Sequence, residues 1–358
     1  SAPVKILLVG GDGGNSGVPR YLRAITHALA DSEVDIEILS DVNRGGYSFA
    51  HKFRYHEVRG LSSLAGGLMC RVRALGQCYQ LVKEIGPDVV WANSSFAVVF
   101  FRVLSLFFCY RLVVTYHGVP FGPGRGWRRS LLAYSIDVVT SGLVAETAVV
   151  ISRADAKLVR LTSFRSKKVL LTNPLPEVAF RSKFAHLSDT NFKLVMTTRD
   201  SRQKNLDLAA QIVASSGQLD LAIYGEVSPQ RILELKSIGG PRIKFMGEVG
   251  DLRQELWKYD VYLMSSRYEG MPLGLLEALY CGLAIAMTKV GGLEEVSTGN
   301  PFVISFESTS PDTAAQDIVR LGKAYRADIN SIQLIKEFSN RFSFCAWKKG
   351  VLEIVENS

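Results

Sequence analysis

The amino-acid sequence predicts an α/β protein made of two doubly wound parallel-sheet domains. Three observations lead there. Short β-rich runs alternate with helix-period segments along all 358 residues. A chain of that length with 47% hydrophobic residues suggests two cores rather than one. Near its midpoint, Asn173-Pro174-Leu175-Pro176 forms a turn-rich joint.

In the first domain, expected over 1–176, the strands fall at 4–10, 34–40, 89–92, 112–116, 147–151 and 168–172, with helices at 19–31 and 68–85. The second, over 177–339, repeats the pattern with strands at 193–198, 219–224, 243–246, 261–264, 283–288 and 303–304. The closing segment 338–355 spaces Phe342, Ala346, the Lys349 stem and Leu352 as on one helix face, so a helix within 340–358 is expected to cross back to the first domain. No short-period repeat or coiled-coil heptad appears.

Charge is distributed unevenly. The net +8 lies wholly in residues 1–177, with 21 basic and 13 acidic side chains, whereas 178–358 carry 21 of each. That asymmetry points to an anionic surface or ligand facing the first half, such as a phospholipid leaflet or a lipid pyrophosphate, and away from nucleic acid. The five cysteines include no C-x-x-C pair and read as free thiols in a reducing compartment. With no leader pattern at the first residues, a cytoplasmic location is expected. The apolar stretch 96–114 is interrupted by Arg102 and Arg111, which argues against a membrane span. It leaves two readings of 96–108, a segment lying in the membrane interface and an internal helix packed on the sheet.

Several motifs sit where sheet ligands bind. Gly10-Gly11-Asp12-Gly13-Gly14-Asn15-Ser16-Gly17 follows the first strand and opens a helix, presenting backbone N–H groups to an anion. It fits neither the dinucleotide fingerprint nor the P-loop, and alone it also reads as a flexible turn. His117 stands at the end of a strand with Gly118 behind it. Arg199 and Lys204 flank the loop after the first strand of the second domain, where they converge on a phosphate pair or form a solvated charged loop. In Glu269-Gly270-Met271-Pro272-Leu273-Gly274-Leu275-Leu276-Glu277, Pro272 reads as the first helical turn. Glu277 then lies in an otherwise apolar helix, where an unpaired carboxylate is costly. Two carboxylates eight residues apart, about 12 Å along a helix, can hold the two ends of a nucleotide sugar while the helix N-terminus takes the pyrophosphate.

This pair resembles the E-x7-E signature of retaining glycosyltransferases of the GT-B architecture, family 4. The resemblance spans nearly the whole chain, through the glycine loop, Tyr116-His117-Gly118, Ile151-Ser152, Thr172-Asn173-Pro174, Arg199 with Lys204, Phe245-Met246-Gly247 and Gly291-Gly292. It implies two domains facing across a cleft, with the acceptor on the first and a nucleotide-sugar donor on the second. It further implies that Gly17 contacts the donor phosphate or acceptor, and that His117 meets the donor sugar near its reacting carbon. Arg199 and Lys204 neutralise the diphosphate, Glu269 binds sugar hydroxyls with the Gly270, Met271, Pro272 and Leu273 turn beside it, and Glu277 holds the ribose. Backbone from Gly247 to Val249 faces the base. Where the family usually has Gly-Arg-Leu and Pro-Ser, this chain has Thr198-Arg199-Asp200 and Ser265-Ser266.

No D-x-D triplet occurs, so no metal and no other cofactor is expected. Rival readings are a GT-B-shaped nucleotide-sugar epimerase, a non-catalytic two-lobed sugar-binding protein, and a dinucleotide oxidoreductase, the last disfavoured by the missing fingerprint. Arg125, Trp127, Arg128 and Arg129 combine cation and indole as a membrane interface favours. The expected partners are a UDP-linked hexose or N-acetylhexosamine donor, with GDP-mannose as the alternative, a polyprenyl-diphosphate-linked sugar acceptor of the O-antigen type, and the inner leaflet, to which the enzyme binds peripherally.

Overall fold

The computed structural model describes every residue except 1, 15, 63–66, 122–125, 175–189, 199, 291–292 and 358. Its contacts divide the chain into two compact units, Ser1–Pro174 with Cys345–Ser358, and Leu175–Phe344.

The first unit holds seven parallel strands: β1 (Val4–Val9), β2 (Val34–Ser40), β3 (Arg54–Glu57), β4 (Val89–Ala92), β5 (Arg111–Tyr116), β6 (Glu146–Val150) and β7 (Lys167–Leu170). Their order is β3-β2-β1-β4-β5-β6-β7. The direction of winding reverses between β1 and β4, and such a reversal opens a crevice beyond the carboxyl ends of the strands. Val9 pairs with Ala92 there, and the Asn93 N–H donates to the Val9 carbonyl at 2.9 Å. The loops after β1 and β4 therefore leave the sheet side by side. Five helices cover the sheet: α1 (Gly17–Ala28), α2 (Leu68–Ile85), α3 (Ser95–Leu104), α4 (Trp127–Ser141) and α5 (Arg153–Val159).

The second unit repeats the winding with β8 (Phe192–Thr197), β9 (Leu219–Tyr224), β10 (Ile243–Gly247), β11 (Val261–Met264), β12 (Ala284–Thr288) and β13 (Val303–Phe306). They run β10-β9-β8-β11-β12-β13, so the reversal lies between β8 and β11. Its helices are α6 (Leu206–Ala214), α7 (Pro229–Gly239), α8 (Arg253–Leu256), α9 (Leu273–Tyr280), α10 (Glu294–Ser297), α11 (Pro311–Ala327) and α12 (Ser331–Ser339). A last helix, α13 (Phe344–Asn357), packs on the first unit. There the Trp347 ring meets Tyr21 edge-on at 5.5 Å, Arg111 donates to the Val355 carbonyl at 2.7 Å, and Lys348 pairs with Asp31 at 2.8 Å.

Two local expectations need correction, and one choice left open is decided. α13 buries Trp347, Val351, Ile354 and Val355, while Ala346 and Lys349 face water. A 3-10 turn at Asn340–Phe342 and an extended Ser343 (ψ 147°) restart the helix, so its face is not continuous with Phe342. The stretch 96–108 is mostly internal. α3 buries Ala97, Val98, Phe100, Phe101 and Leu104 against the sheet, leaving Leu106 and Phe107 exposed. Finally, β3 is an additional edge strand, half-exposed and rich in charge.

Candidate active site

In the second unit, the loops after β8 and β11 meet at the winding reversal and are joined by a set of hydrogen bonds. Arg267 N–H donates to the Gln203 carbonyl at 2.7 Å and Gln203 Nε2 to the Tyr268 carbonyl at 3.0 Å. Ser265 Oγ–H donates to the Lys204 carbonyl at 2.9 Å, and Arg267 donates to Asn205 Oδ1 at 2.9 Å. Asn205 itself adopts a left-handed backbone (φ 50°), turning the chain into α6. These contacts bring two predicted residues together, with Lys204 Nζ 2.7 Å from Glu269 Oε1. Ser266 Oγ–H donates to that same oxygen at 2.7 Å. Both bonds converge on Oε1, which leaves Oε2 as the oxygen available to a ligand hydroxyl. The sequence reading assigned Lys204 and Glu269 to different parts of a ligand, whereas in the structure they form one ion pair.

The turn 269–272 is not helical. Pro272 is extended (ψ 130°) and caps α9, which begins at Leu273. Helix therefore covers only part of the spacing from Glu269 to Glu277, and the estimate of 12 Å along a continuous helix does not apply. Gly270 and Met271 are buried, while Pro272 and Leu273 are half-buried. Gly274 lies so close to the sheet that a Cβ there would sit 2.2 Å from Thr197 Oγ1 and 2.8 Å from Tyr262 Oη. Only glycine permits that approach. Glu277 is buried in α9, near Arg253, Tyr262 and Cys281. The Arg253 pKa is raised, first by its bonds to Asp251 and then also by the Glu277 charge. Burial, reinforced by Glu277, pushes the Cys281 thiol up to about 12. At the far side of the sheet, Gly247 ends β10 with φ 72° and accepts the Gly225 N–H at 2.8 Å, and Val249 beyond it is exposed.

In the first unit, the glycine loop serves two purposes. Gly13 is crowded, since a Cβ would lie 1.8 Å from the Val42 carbonyl oxygen, whereas Gly17 has nothing within 4 Å. Gly17 opens α1 after an extended Ser16 that makes no side-chain cap, so the first turn of α1 presents its N–H groups to whatever binds there. His117 follows β5, with its ring edge-on to Tyr21 at 4.6 Å and Nε2 3.4 Å from Asn93 Oδ1. Asn93 is oriented by donating its amide to the Trp91 carbonyl at 2.9 Å and the Val9 carbonyl at 3.3 Å. Burial lowers the His117 pKa to about 4, so the ring is neutral at pH 7. Asn93 was absent from the sequence reading of function, and Gln203, Ser265 and Ser266 were given no role in it. Uncharged hydrogen-bonding residues in loops carry no charge or spacing signal.

Trp127, Arg128 and Arg129 lie exposed at the start of α4, with the Arg128 guanidinium 5.2 Å from the Trp127 ring. Arg125, Arg199, Gly291 and Gly292 lie outside the described residues.

Residues 16–174 match the model described as glycosyl transferase 4-like domain, and 191–323 match that of glycosyl transferases group 1. The chain is a GT-B glycosyltransferase of the family 4 type. This glycosyltransferase is 23% identical over 235 residues to the O-antigen biosynthesis glycosyltransferase WbnH of Escherichia coli, covering 65% of this chain and 67% of that one. In fold it is similar to sucrose-phosphate synthase from Thermosynechococcus elongatus, with a TM-score of 0.82 at 17% identity, covering 99% of this chain and 98% of the other. It is similar also to HepE of Anabaena in complex with UDP-glucose, with a TM-score of 0.78 at 18% identity over 99% of this chain and all of that one.

Proposed function

We propose that this glycosyltransferase moves a hexose or N-acetylhexosamine, with retention, from a UDP-linked donor to a hydroxyl of a polyprenyl-diphosphate-linked sugar during O-antigen-type polysaccharide synthesis. The observation that carries the reading is the Lys204–Glu269 pair at the β8/β11 reversal, with Glu277 in the helix that follows. The O-antigen biosynthesis role of the Escherichia coli relative and the UDP-glucose in the Anabaena structure support the choice of acceptor and donor classes.

In this reading Glu269 Oε2 accepts a sugar hydroxyl, and the remaining N–H bonds of Lys204 reach the diphosphate. Glu277 accepts from the ribose. The bond from the anomeric carbon to the β-phosphate oxygen breaks as the acceptor hydroxyl attacks from the same face and passes its proton to that departing phosphate oxygen. Lys204, Arg199 and the first-turn N–H groups of α9 stabilise the charge that develops on the leaving nucleoside diphosphate. Neutral His117 offers a hydrogen bond to the sugar without adding charge near the oxocarbenium-like carbon. No metal takes part, and the enzyme acts at the inner leaflet of the cell membrane.

The test is nucleoside diphosphate release from UDP-sugars, with and without a lipid-linked sugar acceptor and with and without EDTA. Acceptor-dependent release that survives the chelator is expected, with the anomeric configuration of the product matching the donor. Conversion of the donor sugar without acceptor would make the protein an epimerase. Activity lost in EDTA and restored by manganese would overturn the metal-free mechanism.

A further inference from the structure

α4 is turned the wrong way round for a helix in water. The residues it buries are Asp137, Thr140 and Ser141, with Ser130, Ala133 and Val138 half-buried beside them, so the covered face is mostly polar or small. A helix on a soluble surface normally buries its apolar stripe and shows its polar one. Here the large apolar residues point outward: Trp127 is 72% exposed, Leu132 64% and Val139 67%, with Leu131 and Ile136 beside them.

The inversion is supported from below. Arg102, fully buried in α3, donates to Asp137 Oδ1 at 2.7 Å and Thr140 Oγ1 at 3.0 Å, so buried polar bonds help hold α4 down, beside the edge-on contact of Tyr134 with Phe121 at 5.6 Å. Tyr134 Oη donates to the Leu161 carbonyl at 3.3 Å, and Arg165 to the Gly142 carbonyl at 3.0 Å. Exposed Leu161 and Phe164 therefore extend the same surface.

Charge identifies the occupant. Residues 126–171 contain three acids, Asp137, Glu146 and Asp155, and all three are buried. Of eight basic residues in that stretch, seven are exposed and Lys168 is half-buried. Every exposed charge within residues 126–171 is therefore positive. We propose that α4 and the 161–165 turn seat this unit in the headgroup region of an anionic phospholipid bilayer. The outward apolar residues enter the acyl boundary, the indole of Trp127 sits at headgroup depth, and the surrounding Arg and Lys side chains meet lipid phosphate. A second copy of the chain is a poor occupant, because two identical cationic faces repel. The proposal rests on the membrane part of the reading above, names a different surface from the stretch 96–108, and leaves the donor chemistry untouched.

The experiment is co-sedimentation of the full chain with vesicles of phosphatidylcholine containing one-third phosphatidylglycerol, beside pure phosphatidylcholine. Binding only to the anionic vesicles is expected, weakening as salt rises. Replacing Arg128 and Arg129 together by Ser should lower partitioning roughly tenfold or more. Leu131→Glu with Val139→Glu should abolish it while the melting temperature and nucleoside diphosphate release with a water-soluble acceptor stay at wild-type values. If that double variant does not fold, Leu131→Ser with Val139→Ser takes its place. No sedimentation with anionic vesicles at low salt, unchanged binding of the folded variants, or a lipid-free dimer that the same substitutions dissociate would overturn the proposal. Failure of the glycosyltransferase reading would show separately, as absence of release in solution.

Discussion

Each unit ties distant segments together through a cation bonded to carboxylate, and the two arrangements differ in how completely the cation is used. In the first, Arg102 places all five of its N–H bonds: on Glu146 at 2.8 and 2.6 Å, Asp137 at 2.7 Å, Thr140 at 3.0 Å and Tyr116 at 2.8 Å. Burial alone would lower its pKa, but these bonds and the Tyr116, Glu146 and Asp137 charges outweigh that and raise it. In the second, Lys204 spends one of three N–H bonds on Glu269, at the rim of the sheet where both side chains keep some exposure. A saturated cluster has nothing left to give a ligand, so Arg102 is scaffolding. An unsaturated pair at a winding reversal is placed to accept one.

The largest effect should come from breaking the saturated cluster. Arg102→Met leaves Glu146 and Asp137 buried without their cation, at a cost of about 3–5 kcal/mol. Arg102→Lys should recover little, because an ammonium cannot reproduce the forked contact with Glu146. Urea unfolding measures both. If Arg102→Met unfolds like the wild type, the cluster does not hold the domain and the comparison fails on that side.

Lys204→Ala tests the other side, where stability should change little and turnover much. Loss of a charge-assisted bond to the departing diphosphate predicts ~1.5–3 kcal/mol in the transition state, roughly 10- to 150-fold in kcat/KM. Glu277→Gln, close in size, should produce a loss of similar order, mainly through donor KM. Steady-state kinetics beside thermal melts separate the two outcomes. Wild-type kinetics in both folded variants would remove the donor site from this position.

The same difference in chemistry explains what was legible in the sequence. Core strands such as Leu219–Tyr224 and Val261–Met264 match their expected limits because apolar β-rich runs flanked by turns have few other ways to fold. β3 was missed because Arg54-Tyr55-His56-Glu57 lies at a sheet edge, where one neighbour and half-exposure leave little apolar signal. α4 escaped notice as a helix because its inward face is polar, and hydropathy patterns carry no sign of a partner such as Arg102, distant in sequence. Charged members of the candidate site stood out by type and spacing, whereas Asn93 and Ser266 act through hydrogen bonds that only the folded loops create.

Gly274 sharpens the comparison at the backbone. Any side chain there meets Thr197 and Tyr262, so Gly274→Ala must push the start of α9 off the sheet at a cost of about 1–3 kcal/mol. Activity should fall further than stability, because the same shift moves Glu269 relative to Glu277. Adding Thr197→Ala removes the 2.2 Å clash and should restore part of both. If the double variant is no better than the single one, crowding is not what the glycine relieves.

The smallest predicted effect concerns His117, an incompletely used group in the first unit comparable to Lys204 in the second. Its folded pKa of about 4 lies below the ordinary 6.5, with burial as the cause. The fold therefore favours the neutral ring, and the unfolded chain binds the proton more readily. The His117 contribution is fully present above pH 6.5, declines as pH falls through the window from 6.5 to 4, and is lost below it. A fully enclosed ring would give about 3 kcal/mol across that window. His117 retains partial exposure, so solvent screening reduces the expected loss to about 1–2 kcal/mol. Urea unfolding at pH 7 and pH 4.5 should show the wild type losing that much more stability than His117→Asn. The kcat/KM profile of the wild type should also show no inflection near pH 6.5 from this ring. Equal acid sensitivity of the two proteins would mean that His117 titrates in a water-like setting, and an imidazolium would then stand beside the glycine-loop helix at mildly acidic pH. That outcome would replace the neutral hydrogen-bonding role with an electrostatic one, and the contacts with Tyr21 and Asn93 would no longer explain why a histidine sits there.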